Sequence, residues 1–457
     1  MCHICSLFLW LVTDVMFQRT DDAISLMLQI CIYAQLMSTL VSIRRKYLSS
    51  FLAIAIVITG IQAIAIRLAP VASAAAPALA WTTSTLTGNG YGPAIATSAD
   101  GSKVFVGATN RAFLSTDYGV SWTTITALND LNTNNYQTSA AMSANGTKIY
   151  YAFKNQIYYS WDSGQTWTNK TFGSSFVALW GMDVSDDGTK ILITNRDNNE
   201  YDYSTNSGLS WTQVTDPNGG GGWAGTISGD GTKIIIANHG GTPRIGSLGG
   251  SLTPINLGAL NWGTKDFRGA ACDATCTNIL LSNTGNGVFT SSDSGATWRL
   301  GTNSADSGFK NLIFSGVDVN SDGSRMAVTV GWDVRRDVYI STDFGATWTS
   351  QNVTNSPYWE DVAIASTGNF IYAMGSNNPI TFARATFPTA STTSLTTSSA
   401  SGVYGISDTL TATINSNAAT GTVDFKNNGT SITGCNAVTV TSGTAMCRFS
   451  SLAVGAY

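Results

Sequence analysis

Charge is scarce in this chain. Asp, Glu, Lys and Arg make up only 11% of the 457 residues, and the formal net charge is −4. No basic footprint for nucleic acid exists. Histidine is scarcer still: of two, only His239 lies beyond the N-terminal region. A single histidine argues against a Ser-His-Asp triad and against multi-histidine metal sites. Cysteine is limited to seven, and Cys2, Cys5 and Cys31 all precede Val41. The other four form two local pairs, Cys272/Cys276 and Cys435/Cys447. An oxidising compartment favours both pairs as disulfides, and neither spacing has a partner histidine for a metal. No metal and no cofactor is expected.

The N-terminus carries the long apolar stretches. Arg44-Arg45-Lys46 precede an apolar run, Leu48–Ile66, and then small residues from Pro70 to Ala76. That order describes a signal peptide cleaved after Ala74 or Ala76, with an uncleaved anchor as the competing reading. Met37 is the expected start of a 37–76 export segment. Residues 1–36 then read as an over-extended start, or as an extra membrane segment over Ile24–Val41. A secreted or cell-surface protein is expected, touching a membrane only through an uncleaved N-terminal segment.

Five copies of one pattern dominate the rest. They are Ser115-Thr-Asp117-Tyr-Gly119-Val-Ser-Trp122, Ser160-Trp-Asp162-Ser-Gly164-Gln-Thr-Trp167, Ser204-Thr-Asn206-Ser-Gly208-Leu-Ser-Trp211, Ser291-Ser-Asp293-Ser-Gly295-Ala-Thr-Trp298 and Ser341-Thr-Asp343-Phe-Gly345-Ala-Thr-Trp348. The closing tryptophans lie 45, 44, 87 and 50 positions apart, the third gap being near twice the basic step. Asp or Asn accepts bonds from its own turn, Gly supplies a positive φ, and Trp opens the next strand with a large apolar surface. These residues are therefore read as structural. A period in the forties is the mark of a β-propeller with one blade per repeat.

A second turn fixes the expected count. Gly101, Gly146, Gly188, Gly231, Gly323 and Gly368 anchor turns of the Asp-Gly-Thr-Lys kind, and Cys276 takes the Gly place in the remaining unit. The anchors are 45, 42, 43, 45, 47 and 45 apart, which implies seven blades. The expectation is an all-β chain: a seven-bladed β-propeller over 81–387, with residues 81–86 supplying the outer strand of the last blade. A Ser/Thr-rich module over 391–457 follows, with short alternating strands.

The five-fold pattern resembles the Asp-box, or BNR, repeat of bacterial sialidases, sortilin-type receptors, xyloglucan hydrolases and photosystem II assembly propellers. The resemblance covers roughly two thirds of the chain and implies that the boxes sit at the blade periphery, away from the ligand mouth. The C-terminal module resembles bacterial Ig-like repeats and reads as a partial Ig-like β-sandwich, truncated at its C-terminus. Sialidases also need three convergent arginines and an Arg-Ile-Pro motif. That motif is absent here, and Arg268 is the only arginine at a strand entrance. Xyloglucan hydrolases usually pair two propellers, and an assembly role in photosynthesis does not predict an Ig-like module.

Two sets of residues remain for function. Aromatics crowd the starts of the innermost strands: Tyr91, Tyr136, Trp180, Trp223, Phe267, Phe314 and Trp359, with Arg268 beside them. They stack on a ligand such as a sugar, or else pack blade against blade. Acids form the second set. Asp183 and Asp318 share one slot five residues before their anchors, and Glu360 and Asp361 stand at the entrance of the seventh unit. Paired carboxylates run glycoside hydrolysis when their separation fits, and the same residues also serve as loop-bonding structural acids. Asp197–Glu200 lacks a recognised Ca²⁺-loop spacing and reads as a solvated hairpin. The expected function is extracellular binding or adhesion at the channel mouth, with a glycan or protein partner. Glycoside hydrolysis is the alternative.

Overall fold

The structure is a computed structural model. It describes residues 76–449 except 77, 89–90, 132–136, 173–178, 196–199, 216–221, 257, 259, 261–262, 264–265, 334, 354–357, 377–378, 389–392, 399–407, 415–420 and 428–429. The export segment expected over 37–76 and the residues before it therefore lie outside the described residues, Ala76 excepted. No helix among the described residues is long and apolar enough to cross a membrane.

The chain is nearly all β, as its repeats require, and folds as a β-propeller. Among the described residues there are seven four-stranded antiparallel sheets. The innermost strands are Ala94–Thr97, Thr138–Met142, Leu179–Val184, Gly222–Ile227, Phe267–Cys272, Phe314–Val319 and Tyr358–Ile364. Each touches the next, and the seventh touches the first, so the circle closes. Six sheets are built from consecutive strands. The seventh takes its outer strand from Thr82–Leu86, which pairs antiparallel with Ile380–Thr386. Just before that strand, Ala76 and Leu79 are buried in the core with Trp359 and Phe387. The backbone N–H of Leu79 donates to Gln351 Oε1 at 2.9 Å.

The core lies between sheets rather than within one. Second strands such as Ile191–Asn195 and Ile279–Asn283 are buried on both faces, because each sheet is covered by a neighbour on either side. Apolar clusters accordingly mix residues of adjacent sheets: Phe105 of the first packs with Tyr151 of the second, their ring centres 5.5 Å apart.

The repeated turns hold the sheets in place. In every copy of the longer pattern the serine hydroxyl donates to the third residue, as from Ser115 to Asp117 at 2.8 Å and from Ser341 to Asp343 at 2.7 Å. The same hydroxyl accepts from the glycine N–H, at 2.8 Å for Gly119. The carboxylate also accepts from the N–H and the hydroxyl four residues on, at 2.9 and 2.6 Å from Ser121. These bonds hold the Asp117 carboxyl down at about 2, the Ser121 hydroxyl contributing most. The residue before glycine also has positive φ, 62° at Tyr118 and 57° at Phe344. The sequence pattern shows only the glycine.

The shorter turns form a second ring. The N–H of Ala99 donates to Ala144 O, Ala144 to Asp186 O, Asp186 to Gly229 O and Gly229 to Ala274 O. Ala274 then donates to Ser321 O, Ser321 to Ser366 O, and Thr367 back to Ala99 O, all seven bonds at 2.8–3.1 Å. The lysines of these turns reinforce the ring. Lys103 Nζ reaches Gly146 O at 3.3 Å and Ser163 Oγ at 2.9 Å on the next unit, and Lys148 Nζ reaches Asp187 O at 3.0 Å. Glycine anchors six of the turns with φ between 63° and 81°. Cys276 occupies the seventh with φ 48° and is bonded to Cys272.

Beyond the propeller, Thr393–Thr397, Asp408–Ile414 and Thr444–Phe449 form a three-stranded sheet, with two short two-stranded sheets beside it. Its small core contains Phe425, Ile432, Val440 and the Cys435–Cys447 disulfide.

The cross-link at Cys276 generates a prediction. Cys272→Ser should lower unfolding free energy by about 2 kcal/mol, through the lost loop constraint and a cysteine left at positive φ. Adding Cys276→Gly should recover about 1 kcal/mol, since glycine is native to the other six turns. Urea denaturation of both variants measures this, and no recovery in the double variant would discount the backbone argument.

Candidate functional site: the channel mouth

The seven innermost strands enclose a channel cavity of about 420 Å³. One end is lined by members of the turn ring, among them Ala144, Gly229 and Ser366. The strands begin at the other end, the mouth, where Tyr91, Gln137, Trp180, Trp223, Arg268 and Glu360 line the cavity.

A bulge decides which side chains arrive there. The ladder between first and second strands is interrupted at Leu179/Gly181, Gly222/Ala224, Phe267/Gly269, Phe314/Val317 and Trp359/Asp361. A bulge leaves a residue unpaired and re-aims its side chain. The residues so turned into the cavity are Trp180, Trp223, Arg268, Ser315 and Glu360. Their neighbours one position earlier point the other way. Phe267, Phe314 and Trp359 are fully buried in the inter-sheet core and do not reach the cavity. The ligand-facing role expected of Phe267 and Trp359 is corrected accordingly: a shift of one residue along a strand reverses the face. Tyr136 lies outside the described residues. Tyr91 lines the mouth and is exposed.

Trp180 and Trp223 sit side by side, ring centres 4.6 Å apart and tilted by 50°. His239 stacks on Trp223 at 4.7 Å, and the Arg268 guanidinium lies 4.9 Å from the same ring. Asp266 pairs with Arg268 at 3.2 Å and faces His239 Nε2 at 3.7 Å. The charge of Arg268 is thus matched and its plane fixed. Further round the ring, buried Glu360 accepts from Ser376 Oγ at 2.9 Å and from Trp332 Nε1 at 3.4 Å. Burial raises the Glu360 carboxyl above its usual range, against the pull of these bonds and of Arg268. Trp332 is half exposed and lies 5.4 Å from Tyr358, over which Arg336 sits at 3.8 Å.

His239, Asp266 and Trp332 are the residues that reading along the inner strands misses. His239 and Trp332 follow the second strands Lys233–Asn238 and Met326–Val330 directly or after one glycine. Second strands run back from the turn ring to the mouth, so residues just after them belong to it. That topological step is the signal that finds them.

Deeper in the channel, three of the four acids bridge adjacent sheets. Asp183 Oδ2 accepts from Ile227 N at 2.9 Å and Thr226 Oγ1 at 2.8 Å, tying the third sheet to the fourth. Asp318 Oδ2 accepts from Ile364 N at 2.6 Å, tying sixth to seventh. Asp361 Oδ2 accepts from Ile95 N at 3.0 Å, tying seventh to first. Each Oδ1 accepts from the following residue's own N–H, at 2.8–2.9 Å. Burial outweighs these bonds, although each carboxyl keeps some contact with the cavity. Asp183 is pushed up to about 6, and Asp318 and Asp361 to about 7. Among the described residues, no three His, Cys, Asp or Glu side chains are grouped to hold a metal ion.

No family model matches the chain, and no curated protein matches it. Solved structures do. The structure titled "YCF48 bound to D1 peptide" is 13% identical with a TM-score of 0.51, covering 68% of this chain and 97% of that one. A streptogramin B lyase is 13% identical with a TM-score of 0.53, covering 67% and 98%. A chain of a mitotic checkpoint complex is 10% identical with a TM-score of 0.53, covering 69% and 94%. At such identities the likeness establishes the propeller fold alone.

The two groups of shifted acids predict a stability profile. Asp318 and Asp361 have raised carboxyls, so the folded state holds protons that the unfolded chain releases between about pH 4 and pH 7. Their ionisation makes stability fall as pH rises through that window. Asp117 and Asp162 are held at about 2, so their contribution is lost as pH falls below about 4. Melting temperature should therefore peak near about pH 4–5. Asp318→Asn should flatten the decline on the neutral side. A profile level from pH 4 to pH 7 would contradict this electrostatic account.

Proposed function

We propose that the chain is an exported binding protein: a seven-bladed Asp-box propeller joined to an Ig-like module, whose ligand, a glycan, seats at the channel mouth. The observation that carries this reading is the set of bulges that turns Trp180, Trp223 and Arg268 away from the core and into one cavity. An aromatic surface beside fixed polar groups suits a ligand with apolar faces and hydrogen-bonding edges. Two disulfides and the low charge content support an extracytoplasmic setting. The longer turns repeat one hydrogen-bonded geometry five times, which supports the Asp-box reading.

Glycoside hydrolysis is the second reading, because Asp183, Asp318, Glu360 and Asp361 all line the same cavity. Against it, the carboxylates of Asp183, Asp318 and Asp361 are already bonded through both oxygens to backbone N–H groups.

Pull-down of polysaccharides with residues 76–388, scored for capture and for reducing ends released, separates the readings. The expected outcome is capture without release, weakened at least about tenfold by Trp223→Ala or Trp180→Ala. Release that disappears in Asp183→Asn or Asp361→Asn would replace binding by hydrolysis.

A further inference from the structure

The mouth carries two aromatic platforms rather than one. The first is Trp180 with Trp223 on the third and fourth sheets. The second is Trp332 with Tyr358, on the sixth and seventh. The fifth sheet separates them around the ring and contributes Arg268 between them. Trp180, Trp223 and Trp332 all line the one cavity. Trp332 is 49% exposed, although its N–H is bonded to Glu360. That bond orients the indole and leaves ring surface open, an arrangement suited to stacking rather than to core packing.

Charge narrows what lies across these platforms. At the mouth the charged lining residues are Arg268 and Glu360. Arg268 is paired with Asp266, and Glu360 accepts from Trp332 and Ser376. Arg268 thus has its counter-ion, and Glu360 has hydrogen-bond donors on both oxygens. Below them Asp183, Asp318 and Asp361 line the channel with no cation among its remaining lining residues, so an anionic ligand meets only acids. Stacking surfaces on two sides, with donors and acceptors between them, Arg268 already paired and Arg336 held over the Tyr358 ring, suit a neutral polyhydroxylated chain.

We infer that the mouth takes a linear neutral oligosaccharide laid from one platform to the other, with Trp332 as a specificity contact that reads chain length. This rests on the binding reading given above. A single sugar reaches one platform, and the second platform adds to affinity only when enough units follow. Linking two contacts in one ligand makes the second contact intramolecular, so affinity climbs with length until both are filled.

Calorimetric titration of the full chain tests this with neutral gluco-, xylo- and manno-oligosaccharides of one to six units. Acidic galacturono-oligosaccharides of the same lengths and a neutral peptide library run alongside. The expected result is that affinity in one neutral series rises at least about tenfold from the shortest binding member to the longest. Trp332→Ala should abolish that rise, whereas Trp223→Ala should weaken every member of the series, the shortest included. Trp332→Phe, which keeps a ring and loses the N–H, should retain part of the rise. Melting curves establish that each variant is folded.

Preference for the acidic series or for peptides overturns the inference, as does affinity independent of length or a rise insensitive to Trp332→Ala. In those cases a ligand still lost in Trp223→Ala leaves the mouth as the binding site. Ligands unaffected by either tryptophan remove both readings.

Discussion

Seven backbone hydrogen bonds, each from one turn to the next, close one end of the propeller channel into a ring. The mouth at the opposite end inherits its position from them. A propeller sheet leaves its innermost edge unpaired, and unpaired N–H and C=O groups in an interior are costly. Here each turn spends one N–H and one C=O on its neighbours around the circle. The turn must therefore bend tightly after the inner strand, which accounts for glycine at positive φ in six units and for the disulfide-bonded Cys276 in the seventh. In four of the units a lysine two residues later, Lys103, Lys148, Lys190 or Lys233, extends the same linkage through its side chain. Sequence elements that look like simple hairpin signals thus hold neighbouring sheets in common register.

The edge nearer the mouth needs a different solution, because the ring bonds are made by the turns alone. Asp183, Asp318 and Asp361 supply it at three of the sheet-to-sheet junctions. Each carboxylate holds its own strand with one oxygen and the next sheet with the other. Carboxylates are strong acceptors for this purpose, and their burial carries an electrostatic cost that grows as pH rises toward neutrality. Bulges then complete the progression from ring to mouth. They break the pairing just where the strands open and swing Trp180, Trp223, Arg268 and Glu360 off the core face.

Legibility in the sequence follows the range of the interactions. The propeller architecture was readable because its turns are local: serine, Asp or Asn, and glycine bond within eight residues, so each copy repeats as a word. The aromatic mouth was only half readable. Tyr91, Trp180 and Trp223 line the cavity, whereas Phe267 and Trp359 are core. All stand within two places of one another in the alignment of units, and no composition rule separates them. The bulge that separates them is a tertiary feature, a mismatch between two strands that the period of either alone does not reveal. The acids show the same limit. Asp183 and Asp318 share a slot visible in the sequence, but their partners, Ile227 and Ile364, are more than forty residues away and offer only backbone. Trp332 and His239 were hidden for a topological reason, since the loop after a second strand returns to the mouth.

These constraints also weigh binding against catalysis. Hydrolysis by two carboxylates requires both to reach the scissile bond, one as acid and one as base or nucleophile, at a separation suited to the mechanism. The raised carboxyls of the channel meet the proton requirement of a general acid, which taken alone would favour an enzyme. Yet each of the three aspartates is held by one donor on its own strand and another on the next sheet. Turning one toward a sugar would strip an edge N–H of its acceptor at the joint between two sheets, leaving a buried donor unsatisfied at a cost of about 1–3 kcal/mol. Glu360 lacks that obligation to the backbone, but it stands at the mouth, whereas Asp186, the lining acid without such bonds, belongs to the turn ring at the channel's other end. The shift in these pKa values is therefore better explained as a by-product of closing the ring, and the aromatic platforms as the surface the ring is built to present.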